Sequence, residues 1–343
     1  MLESKEIAHE MIGLCGILFV DQYGLTGSAY AANVLTDQEE LHFRESAFAW
    51  IRAQQLHKPF FTRDDLSKFA FGGNQYRLIG PQTGIWKVAA LSDSAIAIST
   101  AYVPDGATRP YEDGEGVDGL QRYKWRGTDP NQSDNRGLRR AMERKLPMLW
   151  LVGIGYVPGT TQQLFDARFP VYLIGEEPTD HQFVVALEQG QEILPSGEPP
   201  AVQEIVKRYN ERIVKTRYHQ PLFRARVIHA YAERCAICRL PFTELLEAAH
   251  IRPDSQGGSA KISNGMSLCK IHHGAYDPDI IGISPDYKIH VRESVLATFD
   301  GPTLQHSIKE MNGEDLRQIP IDVSSQPDRE LLAERFEKFQ KAS

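Results

Sequence analysis

The sequence predicts an α+β protein in two parts: a strand-rich N-terminal domain, a curved sheet or barrel with helices, and a small C-terminal domain held by metal. Three observations predict it. Short apolar segments alternate with Gly, Pro and Asp punctuation as far as Leu187. Helical apolar spacing is confined to a few stretches on either side of them. Two pairs of metal-type ligands, Cys235 with Cys238 and Cys269 with His272, stand toward the C-terminal end. A chain of 343 residues has room for two such domains, each with its own core.

Residues 1–40 read as an N-terminal extension without an interpretable motif. Their apolar run, Met11 to Val20, is shorter than the roughly 20 residues a membrane span needs. It also lacks the basic flank and cleavage site of a signal peptide, so a buried strand or helix segment is expected there. Residues 41–190 make the strand-rich domain. It opens on a helix over Glu39 to Gln55, where Leu41, Phe43, Phe48 and Ile51 recur at helical spacing with Ala47 and Ala49. Strands are expected at Ala95–Ser99, Met148–Gly153 and Phe169–Gly175, and one helix around Asn135 to Lys145. Pro81 to Lys87 reads as a hairpin with a buried Trp86. Residues 191–221 combine a Pro/Gly-rich linker, Leu194 to Ala201, with the start of a basic helix running from Val202 to about Tyr231. The metal-held domain takes 222–300, and a tail, 301–343, ends in a helix from Asp328 to Lys341.

Charge is unevenly spread. The formal net charge of -7 argues against a nucleic-acid partner. Yet Lys207, Arg208, Arg212, Lys215, Arg217, Arg224 and Arg226 crowd one segment with a single acid, Glu211. That segment is either a phosphate-contacting surface or a solvated helix face.

Three of the four cysteines fall into register with a histidine. Cys235-Ala-Ile-Cys238 and Cys269-Lys-Ile-His272 are two knuckles, each able to place two donors on one ion, and together they suit a tetrahedral structural zinc. Such thiols fit a reducing cytoplasm better than disulfides do. Cys15 is left over and reads as a core residue.

Between and after the knuckles stand Leu246-Glu-Ala-Ala-His250-Ile-Arg-Pro, Ser263-Asn264-Gly-Met-Ser-Leu268 and His272-His273-Gly-Ala-Tyr-Asp277. Over about 222–300 this resembles the HNH nuclease family, which implies a β-hairpin and helix wrapped around one metal. The resemblance implies that His250 takes the proton of the attacking water. It implies that Asn264 holds the turn and orients His250 through an amide hydrogen bond, and that His273 ligates a catalytic divalent ion, Mg²⁺ or Mn²⁺. Asp277, four residues beyond His273, shares its helix face and is placed to bind the same ion. Ala249 stands where many members carry an Asp or His ligand.

In the first half, Ala97 to Tyr102 leads into Arg109-Pro-Tyr111-Glu-Asp113-Gly, then Asp118-Gly, Tyr123-Lys-Trp125-Arg-Gly and Asp134-Asn135. This resembles the SRA or YDG family of modified-base readers. The resemblance implies a PUA-like curved β-barrel and a pocket for an extruded cytosine. Tyr111, Tyr123 and Trp125 would supply ring faces, and Asp113 an acceptor for the amino group. Arg126, Arg136, Arg139 and Arg140, with Lys215, Arg217 and Arg224, would hold phosphates. The other reading of these aromatics is barrel core.

The joint architecture is similar to McrA-like, modification-dependent (type IV) restriction endonucleases. The activity implied is hydrolysis of double-stranded DNA near a methylated or hydroxymethylated cytosine, in defence against foreign DNA. One HNH site cuts one strand, so a double-strand break implies a homodimer. Two other readings are an HNH nuclease for phosphorothioate DNA and a DNA-binding protein with an inactive HNH site.

Overall fold

A computed structural model of the chain describes residues 34–104, 107, 114–194, 197–299 and 301–342. The Met11–Val20 run, Cys15, and Tyr111 and Asp113 of the expected base pocket lie outside these residues.

Helix α1, Asp37–Gln55, begins at a capping box in which Thr36 and Glu39 bond reciprocally. A small hairpin follows, β1 (Phe69–Phe71) with β2 (Asn74–Tyr76). Six further strands form one sheet: β3 (Ile85–Lys87), β4 (Ala95–Thr100), β5 (Gln121–Lys124), β6 (Met148–Tyr156), β7 (Gln163–Glu177) and β8 (Gln182–Ala186). Their order across the sheet is β3-β4-β6-β7-β8-β5. Only β4 and β6 run parallel. The long β7 pairs with β6 through its first part and with β8 through its last, with bulges in both ladders, and so curls the sheet into a half-barrel.

Both faces of this sheet are covered. In β6, Met148, Trp150 and Val152 enter one core while Leu149 and Leu151 enter the other. That is why the strand is a continuous apolar run rather than an alternating one. Phe43, Ala47, Phe48 and Ile51 of α1 close one side. Helix α2 (Ser133–Glu143) closes the other with Leu138 and Ala141.

The basic segment is helical, as its periodicity predicts. Helix α3 (Pro200–Val214) runs through a π-helical turn, Lys215–His219, into α4 (Gln220–Ala230). Ile213, Val214 and Tyr218 are buried in the sheet core, with Tyr218 stacked on Trp150 at 4.8 Å. Phe223, Val227 and Ile228 of α4 belong to the core of the C-terminal half. That half contains the antiparallel hairpin β9 (Leu246–His250) and β10 (Gly265–Cys269), then helix α5 (Lys270–Tyr276). A second hairpin, β11 (Ile281–Ile283) with β12 (Ile289–Val291), precedes the short helices α6 (Glu293–Leu296) and α7 (Pro302–Ser307) and the final α8 (Arg329–Ala342). Among the described residues no helix is long and apolar enough to cross a membrane.

A fully buried charged pair anchors a network inside the first half. Arg44 and Glu40, both fully buried on α1, pair at 2.7 Å. The Arg44 guanidinium also donates to Pro147 O, Ser94 Oγ and Ala95 O, and Glu40 accepts from Ser94 and Arg144. Burial works against the Glu40 charge, yet these hydrogen bonds and the guanidiniums hold its carboxyl below the usual range. Breaking the pair strands a charge in the core. Arg44→Ala is therefore expected to lower the unfolding free energy by about 3–5 kcal/mol in urea titration. Glu337→Ala, which breaks the exposed pair with Lys341, should leave the urea midpoint in place.

Candidate functional site

The C-terminal half is drawn together at one point. Cys235, Cys238, Cys269 and His272 offer donor atoms that all lie within 4.8 Å of one another. Cys238 Sγ is 3.9 Å from Cys269 Sγ, and His272 Nδ1 lies 3.1 Å from Cys269 Sγ and 3.5 Å from Cys235 Sγ. The first knuckle turns through Arg239 at φ 63°, and the Cys269 amide donates to Cys235 Sγ at 3.3 Å. His272 Nε2 lies 2.8 Å from the Ser307 carbonyl, which can only accept. Nε2 therefore carries the proton, and Nδ1 keeps its lone pair for the cluster.

Among the protein groups alone, the crowding falls on protons. Hydrogen bonding to Cys238 and Cys269 pushes the Cys235 thiol far up, while Cys235 and Cys238 hold Cys269 down. His272, against the cost of its burial, is held up to about 10 by Cys238 and Cys269. A bound dication replaces those protons, so the donor set fits a tetrahedral zinc, which this cluster could hold.

The hairpin β9–β10 carries His250 at its loop end, opposite Gly265. The His250 ring is half-buried and stacks on Phe223 of α4, centroids 4.1 Å apart and planes 16° from parallel. Burial lowers its pKa below the ordinary imidazole value. Lys215 and His273 act in the same direction, and Asp254 and Asp277 oppose it.

Asn264, 1% exposed, does something other than the expected bond to His250. Its Oδ1 accepts from the Arg252 amide at 2.9 Å, and its Nδ2 donates to Arg252 O and Ser259 O. With Ile251 N donating to Asn264 O, it clamps the loop that leaves His250. A side chain with three bonds to loop backbone is committed to that backbone, so its effect on His250 is through the loop.

His273 follows His272 on α5, and one residue of helix rotates the side chain by about 100°. It points away from the cluster, between two carboxylates. Nδ1 lies 2.6 Å from Glu247 Oε2 and Nε2 lies 3.4 Å from Asp277 Oδ2. Ala249 is fully buried in the core.

Tyr123 and Trp125 of the expected base pocket are each 5% exposed. They pack in the sheet core, Tyr123 edge-on to Trp150 and Trp125 against His181 and Phe183. Both also wall a cavity of about 700 Å³. Its other walls include Thr83 and Gln121 from the sheet half, Leu222, Phe223 and Arg226 from α4, and Lys261. The Tyr123 hydroxyl donates to Gly84 O at 2.9 Å. Among the described residues, the indole nitrogen of Trp125 and Nε2 of Gln121 are buried without a hydrogen-bond partner.

The basic residues expected on phosphates are mostly engaged. Arg139 pairs with Glu176 at 2.6 Å, Lys215 with Asp254, and Arg217 with Glu188 at 2.5 Å. Arg224 donates to the carbonyls of Thr243 and Leu246, bracing the start of β9. Arg140 lies 4.0 Å from Glu143 and is more than half exposed.

Residues 235–284 match the HNH endonuclease family. This span contains the four-donor cluster and Glu247, His250, Asn264, His273 and Asp277, so the chain carries an HNH endonuclease domain and is a nuclease. Two solved structures are similar to it. One is the modification dependent TagI restriction endonuclease, at 17% identity over 75% of this chain and 85% of that one, TM-score 0.26. The other is the type IV phosphorothioation-dependent restriction endonuclease ScoMcrA, at 13% identity over 56% of this chain and 54% of that one, TM-score 0.18. No curated protein matches the chain.

The adjacent histidines face different surroundings, one in the four-donor cluster and one between two carboxylates, so their substitutions can be told apart. His272→Ala is expected to lose bound zinc in elemental analysis, from about one ion per chain, and to lower the melting temperature. His273→Ala should keep both zinc and melting temperature while losing cleavage.

Proposed function

We propose that this chain is a modification-dependent DNA endonuclease: the curved, PUA-like sheet reads a modified cytosine in double-stranded DNA, and the HNH domain cuts the backbone nearby, in defence against foreign DNA. One observation carries the reading. Helix α4 lines the 700 Å³ cavity with Leu222, Phe223 and Arg226, and the same Phe223 ring stacks on His250. A cavity of this size accommodates a base, and Tyr123, Trp125 and Gln121 stand in its wall. Gly114 also lines the cavity, next in sequence to Asp113, which the resemblance assigns to the same pocket. A mixed polar and aromatic wall suits a base better than a phosphorothioate sulfur, which calls for a small apolar pocket.

Each residue of the cutting site then has a task. His250, kept neutral by burial, accepts the proton of the attacking water, and its stack on Phe223 fixes the ring plane. Asn264 holds the loop beyond it. His273 and Asp277 present a nitrogen and an oxygen 3.4 Å apart on one helix face, a donor set that fits a divalent ion with waters completing its shell. When bound, that ion supplies charge neutralisation at the phosphate and stabilises the leaving oxygen. The Cys₃His cluster holds a structural zinc. Two copies of the chain acting together cut both strands.

Purified protein with Mg²⁺ or Mn²⁺ is expected to cut methylated or hydroxymethylated DNA and to spare unmodified DNA; equal cutting of all three overturns the reading. His250→Ala should lower the cleavage rate by about 100-fold or more with zinc content unchanged. Because burial lowers the His250 pKa, the base form persists as pH falls. The acid limb of the rate profile is therefore expected below about pH 6.5, the ordinary imidazole value.

A further inference from the structure

Glu247 has no role in the motif as read from sequence, yet its carboxylate makes the shortest contact at the cutting site. We propose that Glu247 is a positioning residue: it fixes the ring and tautomer of His273, so that Nε2 rather than Nδ1 is presented to the catalytic divalent ion. The inference rests on the assignment of His273 as a ligand of that ion.

The geometry carries it. Glu247 Oε2 lies 2.6 Å from His273 Nδ1, a charge-assisted hydrogen-bond distance. A carboxylate accepts, so Nδ1 holds the proton and donates it. The lone pair is left on Nε2, which faces Asp277 at 3.4 Å. An imidazole with one nitrogen bonded to a carboxylate is oriented and made more basic at the other, as in carboxylate–histidine–metal arrays. Glu247 lies two residues before Ala249, so the two occupy one face of β9. Where many HNH chains place a ligand, this one has a buried methyl group; its carboxylate stands one pleat earlier on the same face and reaches the histidine instead. The strand is braced at that point. Arg224 of α4 donates to the carbonyl of Leu246, next to Glu247, at 2.9 Å.

The test is direct Mn²⁺ binding to the full-length protein, by calorimetry or electron paramagnetic resonance, on wild type, Glu247→Ala, Glu247→Gln and His273→Ala. Manganese prefers the oxygen and imidazole donors to the thiolate cluster, so it reports this site. Glu247→Ala is expected to weaken Mn²⁺ binding by about 10–100-fold, the usual cost of losing an outer-shell partner, with zinc content and melting temperature unchanged. Glu247→Gln keeps an acceptor for Nδ1–H and should stay within a few-fold of wild type. Unchanged affinity in Glu247→Ala overturns the proposal. So does equal loss in the Gln and Ala variants, because then the carboxylate charge acts as a ligand in its own right. If His273→Ala binds Mn²⁺ as wild type does, the His273 assignment falls and this inference with it. Dependence of cleavage on base modification is read separately, on DNA, and survives any of these results.

Discussion

Three sulfurs and an imidazole nitrogen held within 4.8 Å of one another in a buried pocket are an unstable set of neighbours without a cation to share, and the C-terminal half is organised around them. Cys235 and Cys238 stand just beyond α4. Cys269 is the last residue of β10, and His272 lies in the first turn of α5 and bonds back to Ser307 at the end of α7. The knuckle backbone is tied in as well, since Ala236 donates to Ser267 O and accepts from Arg317 and Gln318. Helix α5 has only seven residues, and a helix so short has little stability of its own. What fixes its direction is the cluster at its start, and that direction places His273 one residue further on. The apparatus that would hold the catalytic ion therefore takes its aim from the cluster.

Those features were legible in the sequence because chemistry-bearing residues seldom fall at short, fixed spacings by chance. Cys235 with Cys238 and Cys269 with His272 belong to this class, and His250, Asn264 and His273 fall in the span that matches the HNH endonuclease family. Glu247 was not legible. A single carboxylate in a strand between apolar residues looks like an ordinary solvent-facing position, and only the packing of α5 on β9 brings it to His273. Asn264 shows the limit from another side: its type and place were readable, its hydrogen-bond partners were not, because a side-chain amide bonds whatever backbone the loop delivers.

Charge was misleading for a related reason. Seven basic residues between Lys207 and Arg226 look like a free cationic face, but Lys207 and Arg208 pair with Glu211 and Glu204 on their own helix, and others meet partners far off in sequence. Glu188 meets Arg217, Asp254 meets Lys215, and Arg224 turns to carbonyls of the strand it supports. In the sheet, the alternation of apolar segments and turns marked strands correctly in kind. It gave neither the parallel pairing of β4 with β6 nor the fifteen-residue reach of β7, of which the expected Phe169–Gly175 is only the later part.

The passage from α3 through the π-helical turn into α4 has the sheet core at one end and His250 at the other, with no hinge between Tyr218 and Phe223. A loop absorbs an added or lost residue by bulging outward. A helix converts the same change into about 100° of rotation and 1.5 Å of advance for everything downstream. Here that displacement would unseat either the Tyr218–Trp150 stack or the Phe223–His250 stack. An inserted or deleted residue in this stretch is therefore expected to disturb the fold more than a substitution at an exposed position such as Arg208 or Thr216.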